Sequence, residues 1–464
     1  MAARLVNIDR ETPLLLPPDL RDWVPQDHLV HFILDAVGEL ELNSAKVNQR
    51  GTGDAQYPPG LMLALLIYSY ASGVFSSRAI ERNSFENVAV RFLCADTHPD
   101  HDTICAFRRQ NAALLSRSFA QVVELAAHCG ILKVGGITVA VDGTKVLASA
   151  SKHAAVSHGH AGESMRRLDL EIGALLAKAE QADSAPPQDG LSIPEEIQRR
   201  QERKAKLARA RAEIEVRALV RAADEQAEHA AKVAARAAQR AVGKKPRGRE
   251  PQPPPTGPAT KDQYNFTDPE SRIMKAGTGG HFEQAYNAQA AVEVDSRLIV
   301  GARVSDAPND KQQLAPTLAA VAPPAGRVAE VLVDSGFVGE AAIRAVEEDE
   351  HGGPTGTRVL AAIKREPHGR TVGDLEKKGP LPEPGPGAPF SERMAHRVAT
   401  PEGRQRYKLR QQTVEPVFGI IKAALGFRRF SLRGLAKVNL EWTLVSLAYN
   451  LKRLHRLGAT LAWA

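Results

Sequence analysis

The spacing of apolar residues changes near position 136, and that change divides the chain into regions of different architecture. Before it the period is helical. Leu29, Phe32, Ile33, Val37 and Leu40 mark one face of a helix within 27–42, and the apolar stretch 61–74 behind Pro58-Pro59 predicts a buried helix. A third helix is predicted from Asp102, a good N-cap type, to Gly130, a natural stop. From Gly136 the period becomes that of strands, which predicts strands at 137–142 and 145–150. Polar positions then dominate. The segments 163–180 and 195–242 are rich in strong helix formers, and the second, if continuous, is ~72 Å long at 1.5 Å per residue. A helical hairpin is expected, parted at SAPPQDGLSIP and closed by the proline-rich stretch 242–260.

Strand patterns resume at 282–294 and 298–304 around a turn at Asp295-Ser296. A helix at 311–321, a strand ending at Asp334, a helix at 339–348 and a strand at 358–363 follow. Residues 364–389 read as a loop, and the remainder is helical. Alternating strands and helices after 136 predict an α/β core with a mixed sheet, preceded by an all-α domain and interrupted by a long helical insertion. The expected divisions are 1–130 for the helical domain, 131–160 for the first part of the core, 161–260 for insertion and linker, and 261–464 for the rest of the core with a basic helical C-terminus.

Length and charge sharpen this picture. A chain of 464 residues can bury two or three real cores. The net charge of +7 is unevenly placed: 391–464 carries 14 Lys/Arg against 4 Asp/Glu, and 195–250 carries 16 against 9. Two basic patches on an otherwise acidic chain point to a polyanion such as DNA. Cys94, Cys105 and Cys129 are odd in number and form no CxxC pair, which argues against a disulfide framework or a zinc finger and for a reducing cytoplasm. The apolar run 61–71 is too short to span a bilayer, and the first residues lack a signal-peptide pattern, so the expectation is a soluble protein.

Three acids stand out. Asp142 ends GGITVAVD, Asp334 ends VAEVLVD, and Glu415 opens EPVFGIIK among Arg404, Arg406, Lys408, Arg410 and Lys422. Both aspartates follow β-branched stretches and precede small residues, which predicts two strand ends at one edge of a sheet. Carboxylates gathered there suit Mg²⁺, which takes few protein ligands and leaves positions for water and phosphate oxygens. Two such ions roughly 3.5–4 Å apart stabilise both oxygens of a phosphodiester displacement.

The segments DHLVHFILDAV, YPPGLMLALLIYSYASGVFSSRAIER and DTICAFRR, followed by VDGTKV, NFTDPESRIMK, YNAQAAV, SDAPNDKQQLAP, VDSGFVG and YKLRQQTVEPVFGIIK, resemble bacterial insertion-sequence DDE transposases along nearly the whole chain. The resemblance implies a ribonuclease H-like core with Asp142, Asp334 and Glu415 as catalytic metal ligands. It implies two Mg²⁺ ions, for which Mn²⁺ can substitute. It also implies double-stranded DNA partners (the element's terminal inverted repeats and its target), a homodimer in the active complex, and a place in the bacterial cytoplasm with the chromosome. Tyr407, Arg410 and Lys422 match residues that grip DNA in that family, and Arg428 and Arg429 extend the basic segment. Arg410 lies five residues before Glu415, whereas the common pattern sets arginine four before, where this chain has Gln411. Lys422 follows Glu415 by seven, about two helical turns, so that both can face one groove. Pro416 predicts a helix start at that point, with the Tyr407 segment a separate helix.

Other readings compete at each point. Glu415 could be a solvated helix-start charge. Arg428, Arg429 and Arg433 could be ordinary surface, and the charges of 195–249 could serve solubility, DNA or a subunit contact. His153, His158 and His160 read as loop histidines, as do His98 and His101. Of the spare acids Asp268, Asp295, Asp306 and Asp310, Asp295 suits the hairpin turn, and Asp306 or Asp310 can approach the site edge without being a ligand. At the level of function, the alternatives are a metal-dependent nuclease that cuts without joining and a non-catalytic DNA-binding protein of transposase descent.

Overall fold

The computed structural model describes residues 19–47, 56–133, 135–182, 192–276 except 242, 244 and 247, 281–363, and 383–461 except 386. Most of the expected loop at 364–389 therefore lies outside the described residues. Two compact units are present. The first comprises residues up to Val146 together with Asn287 onward, and the second runs from Leu147 to Tyr286.

The first unit opens with helices. They are α1 (Leu29–Gly38), α2 (Pro59–Ala71), α3 (Ser77–Glu86), α4 (Val88–Leu93), α5 (His101–Gln110) and α6 (Ala112–His128). The apolar run predicted to be buried is α2, in which ten consecutive residues from Met62 to Ala71 are buried. The single helix expected from Asp102 to Gly130 is instead two. Its cap is Asp100, whose carboxylate accepts from the Asp102 and Thr103 amides at 2.9 Å, and the break is at Asn111. Asn111 uses its side chain to bind the Phe107 carbonyl and the Lys46 amide, which competes with continued helix. Strand β1 (Gly136–Leu147) follows as one continuous element where two short strands were expected.

In the second unit, β2 (Ala155–Ser157) leads into α7 (His158–Ala182), which pairs with the 49-residue α8 (Ile193–Ala241) in the expected hairpin. Val156, Ala161, Leu168, Leu207 and Ala210 form its core with Met165 and Tyr264. Many of its basic side chains are paired within the hairpin, among them Arg211 with Glu215, Arg217 with Glu213 and Lys232 with Glu228, each at i,i+4 spacing. Strand β3 (Gln263–Asn265) pairs antiparallel with β2, and β4 (Arg272–Ala276) pairs with the first half of β5 (His281–Glu293).

The second half of β5 belongs to the first unit and pairs antiparallel with β6 (Ile299–Ser305). The Glu293 carboxylate accepts from the amides of Asp295 and Ser296 and fixes the hairpin turn in which Asp295 sits. Then come α9 (Leu314–Leu318), β7 (Arg327–Val333), α10 (Glu340–Glu347), β8 (Arg358–Ala361), α11 (Phe390–Ala399), α12 (Pro401–Gly419) with a π-helical turn at Ile420–Ala424, and α13 (Leu435–Arg456). The sheet of this unit has the order β6-β5-β1-β7-β8, with β1, β7 and β8 parallel. Val139 to Val141 and Val331 to Val333 are fully buried, as suits parallel strands covered on both faces.

Helix α13 organises the core. It packs on α2, α6 and β6. The Trp442 indole donates to the Gln289 carbonyl at 2.9 Å, and the Asn450 amide bonds both the N–H and the C=O of Ile299. Glu441, fully buried on the same helix, accepts from the Tyr70 hydroxyl and from the amides of Ser431 and Leu432, while Arg108 donates to Tyr70. Among the described residues no helix is long and apolar enough to cross a membrane.

Candidate active site

Parallel pairing sets Val141 opposite Val333, so Asp142 and Asp334 come next to each other on adjacent strands. Asp334 ends its strand as expected, and its Oδ1 accepts from the Gly336 amide at 2.8 Å at the start of a short 3-10 turn. Asp142 does not end its strand, because β1 runs on to Leu147. The strand that stops is β7. The acid therefore still stands where the sheet loses a neighbour.

Glu415 is delivered by α12, which three side chains fasten to these two strands. Arg406 donates to Glu330 Oε2 at 2.7 Å and to Thr138 Oγ1 at 2.8 Å, joining β7 and β1 near their beginnings. The Tyr407 hydroxyl donates to the carbonyl of Val333, one residue before Asp334. Arg410 then reaches both remaining acids, with Nη1 3.3 Å from Asp142 Oδ2 and Nη2 3.2 Å from Glu415 Oε1. The departure of Arg410 from the four-residue spacing does not keep it from the acids, because its long side chain spans the gap. Helix α12 continues through Pro416, contrary to the helix start expected there. The prolyl ring lies in the last turn of α12, and the backbone widens into the π-helical turn just beyond it.

The electrostatics follow from burial. Asp142 is 19% exposed, and desolvation pushes its carboxyl up to about 6. Arg410 and the Gly143 amide oppose this, while the charges of Asp334 and Asp310 add to it. Glu415, 51% exposed, remains open to solvent. Burial likewise raises the Tyr407 phenol and lowers the Lys422 ammonium.

The fit to a divalent cation can be judged from this donor set. Even with Arg410 beside it, Asp142 keeps a raised carboxyl next to Asp334, and hard carboxylate oxygens are what Mg²⁺ accepts. Among the described residues no group of three His, Cys, Asp or Glu stands close enough to hold a metal ion. Arg410 joins Glu415 to Asp142 through its guanidinium. The arrangement fits an ion held by one or two carboxylates and completed by water and phosphate oxygens, not a closed protein cage.

Lys422 donates to the carbonyl of Lys145, three residues beyond Asp142 on β1. Arg428 and Arg429 are exposed, and Arg428 Nε donates to the Lys422 carbonyl. The histidines lie elsewhere. His158 and His160 open α7 instead of lying in a loop, with His158 3.2 Å from Glu215, and His101 opens α5, 2.8 Å from Glu81. Asp268 accepts from the Tyr286 hydroxyl in the second unit. Asp310 does approach the site. Its Oδ1 accepts from the Asn287 and Gln289 amides at 2.6 Å and faces Lys145 at 3.9 Å. Sequence reasoning missed Lys145, Asn287, Gln289 and the Arg406–Glu330–Thr138 clamp. Only the polar interruption of β5 by Asn287 and Gln289, both fully buried, was there to be noticed.

Two family models match the chain. One described as "Transposase domain (DUF772)" covers residues 18–110, and one described as "Transposase DDE domain" covers 389–455. The second contains Tyr407, Arg410, Glu415, Lys422, Arg428 and Arg429, and neither contains Asp142 or Asp334. No curated protein and no solved structure matches.

Proposed function

Because the chain belongs to the insertion-sequence DDE transposases, we propose that it cuts DNA at the ends of its element and joins the released 3′-hydroxyl to target DNA, with Asp142, Asp334 and Glu415 as the catalytic acids. One observation carries this reading: Asp142 and Glu415, from distant segments, meet at Arg410, and parallel pairing of β1 with β7 brings Asp334 beside Asp142. A lone acid at a strand edge is commonly a turn former. Two acids bridged by one guanidinium, on a helix fastened to both strands and with a third acid on the neighbouring strand, are not explained that way.

In this reading Asp142, Asp334 and Glu415 would hold the cation, and Arg410, now on Asp142 and Glu415, would turn its guanidinium to a DNA phosphate. The guanidinium fork suits a phosphate as well as it suits a carboxylate. Tyr407, braced on Val333, and Lys422, braced on Lys145, border the scissile phosphate, while the exposed Arg428 and Arg429 hold the backbone beyond it. Mg²⁺, or Mn²⁺ in its place, supplies charge neutralisation and a lowered water pKa when bound. A ribonuclease H-like core is supported by the mixed sheet, whose first strand carries one acid and whose fourth precedes another. The N-terminal helices bind the terminal repeats or join two subunits, and the joining of two element ends calls for a homodimer in the bacterial cytoplasm.

The test is a labelled duplex carrying the sequences that flank the gene, incubated with Mg²⁺ or with EDTA. Mg²⁺-dependent cutting with strand-joined products, lost in Asp142→Asn, Asp334→Asn and Glu415→Gln while duplex binding persists, is the expected result. Cutting without joining identifies a nuclease. Binding without cutting under any condition makes the chain a DNA-binding protein only.

A further inference from the structure

The reaction proposed above assigns no task to Lys145, yet its ammonium is the least satisfied charge beside the acids. Its Nζ is buried and no described residue accepts a hydrogen bond from it. The nearest carboxylate, Asp310, stands 3.9 Å away and is already held by two fully buried amides, those of Asn287 and Gln289. Gly143 makes that packing possible. A Cβ there would lie 2.3 to 2.7 Å from polar atoms of Gln289, Asp310 and Asn287. Asp310 is thus fixed without Lys145, while Lys145 gains only a loose ion pair from Asp310.

A buried ammonium with unused donors is costly, and relief comes from a partner that brings oxygen acceptors. The surroundings favour an anion. Lys422, braced on the Lys145 carbonyl, has its ammonium lowered by burial and then by the nearby charges of Arg428 and Lys145, so three cationic side chains converge here. Lys145 lies three residues along β1 from Asp142, about 10 Å of strand, and its flexible stem can reach toward the acid edge.

We propose that Lys145 is a DNA-phosphate contact of this chain, parked beside Asp310 in the free protein and donating to a backbone phosphate next to the scissile one in the complex. This inference depends on the DNA-cleaving reading, and its test separates the two. The full-length protein is titrated with a fluorescent random-sequence duplex in EDTA, from about 50 to about 200 mM salt, for wild type, Lys145→Met and Lys145→Arg. One lost phosphate contact makes the slope of log affinity against log salt shallower by about 0.9, so Lys145→Met should lose about 3.5-fold less affinity over that range. Lys145→Arg should restore the wild-type slope, and the melting temperature of Lys145→Met should equal or exceed wild type, because an ill-paired buried charge is gone. A wild-type slope in Lys145→Met, or a lowered melting temperature that Lys145→Arg does not rescue, overturns the inference alone. Failure of the wild-type protein to bind any duplex overturns the DNA-cleaving reading and this inference with it.

Discussion

Asp142 and Arg410 are 268 positions apart in the chain and 3.3 Å apart in space, and the guanidinium that meets Asp142 also meets Glu415. A cation of the protein's own thus stands among the acids proposed for catalysis, and the consequences can be measured.

Asp142 is destabilising when ionised in the metal-free protein. Its folded pKa of about 6 lies above the ordinary aspartate value of 3.8, so the folded state holds the proton more tightly. Stability is highest below pH 3.8 as far as this group is concerned and falls as pH rises to about 6, by about 3 kcal/mol at 1.36 kcal/mol per pKa unit. Thermal melts in EDTA should show Asp142→Asn more stable than wild type at pH 8 and not at pH 3.5. Mg²⁺ should then raise the wild-type melting temperature at pH 8 and leave that of Asp142→Asn nearly unchanged. An equal Mg²⁺ shift in both proteins would remove Asp142 from the cation site.

Arg410 is 12% exposed and faces two carboxylates. Removing one partner of a largely buried pair leaves the other charge uncompensated, so Arg410→Ala should cost about 3 kcal/mol in a denaturant melt near neutral pH. Arg410→Lys should recover only part of this, because a point charge cannot serve both acids in the manner of a fork. Full recovery by lysine would show that charge alone matters there.

Asn450 holds the backbone of β6 to α13. Truncation to alanine leaves the buried N–H and C=O of Ile299 unpaired, for a loss of about 2–4 kcal/mol by chemical denaturation. A loss under 1 kcal/mol would mean that these groups find other partners.

Leu207 lies in the small core of the hairpin unit. Leu207→Ala should cost about 2–3 kcal/mol there. Hydrogen exchange should show faster amides across 158–241 and unchanged protection in β1 and β7.

Much of this architecture could be read from the chain because periodicity and local chemistry are written along it. Helices α1 and α2, the α7–α8 hairpin, the β5–β6 turn at Asp295-Ser296 and the strand leading to Asp334 all follow from spacing and turn residues. The differences are also local. Asp100 and not Asp102 caps α5, Asn111 breaks the expected helix, and Pro416 does not start a new helix because Arg406, Tyr407 and Arg410 fasten α12 to the sheet.

By itself the sequence determined the element types, the concentration of positive charge near Glu415, and the three acids as candidates. Only the tertiary structure decided what they meet. That Asp142 lies beside Asp334 follows from parallel pairing of β1 with β7, which no local pattern encodes. That Arg410 stands between Asp142 and Glu415, and that Asp310 with two buried amides stands beside Lys145, depends on helix docking and on the space that Gly143 leaves open. Periodicity fixes which way a residue faces within its own element. The distance between residues hundreds of positions apart is fixed by strand order and packing, which are properties of the whole chain.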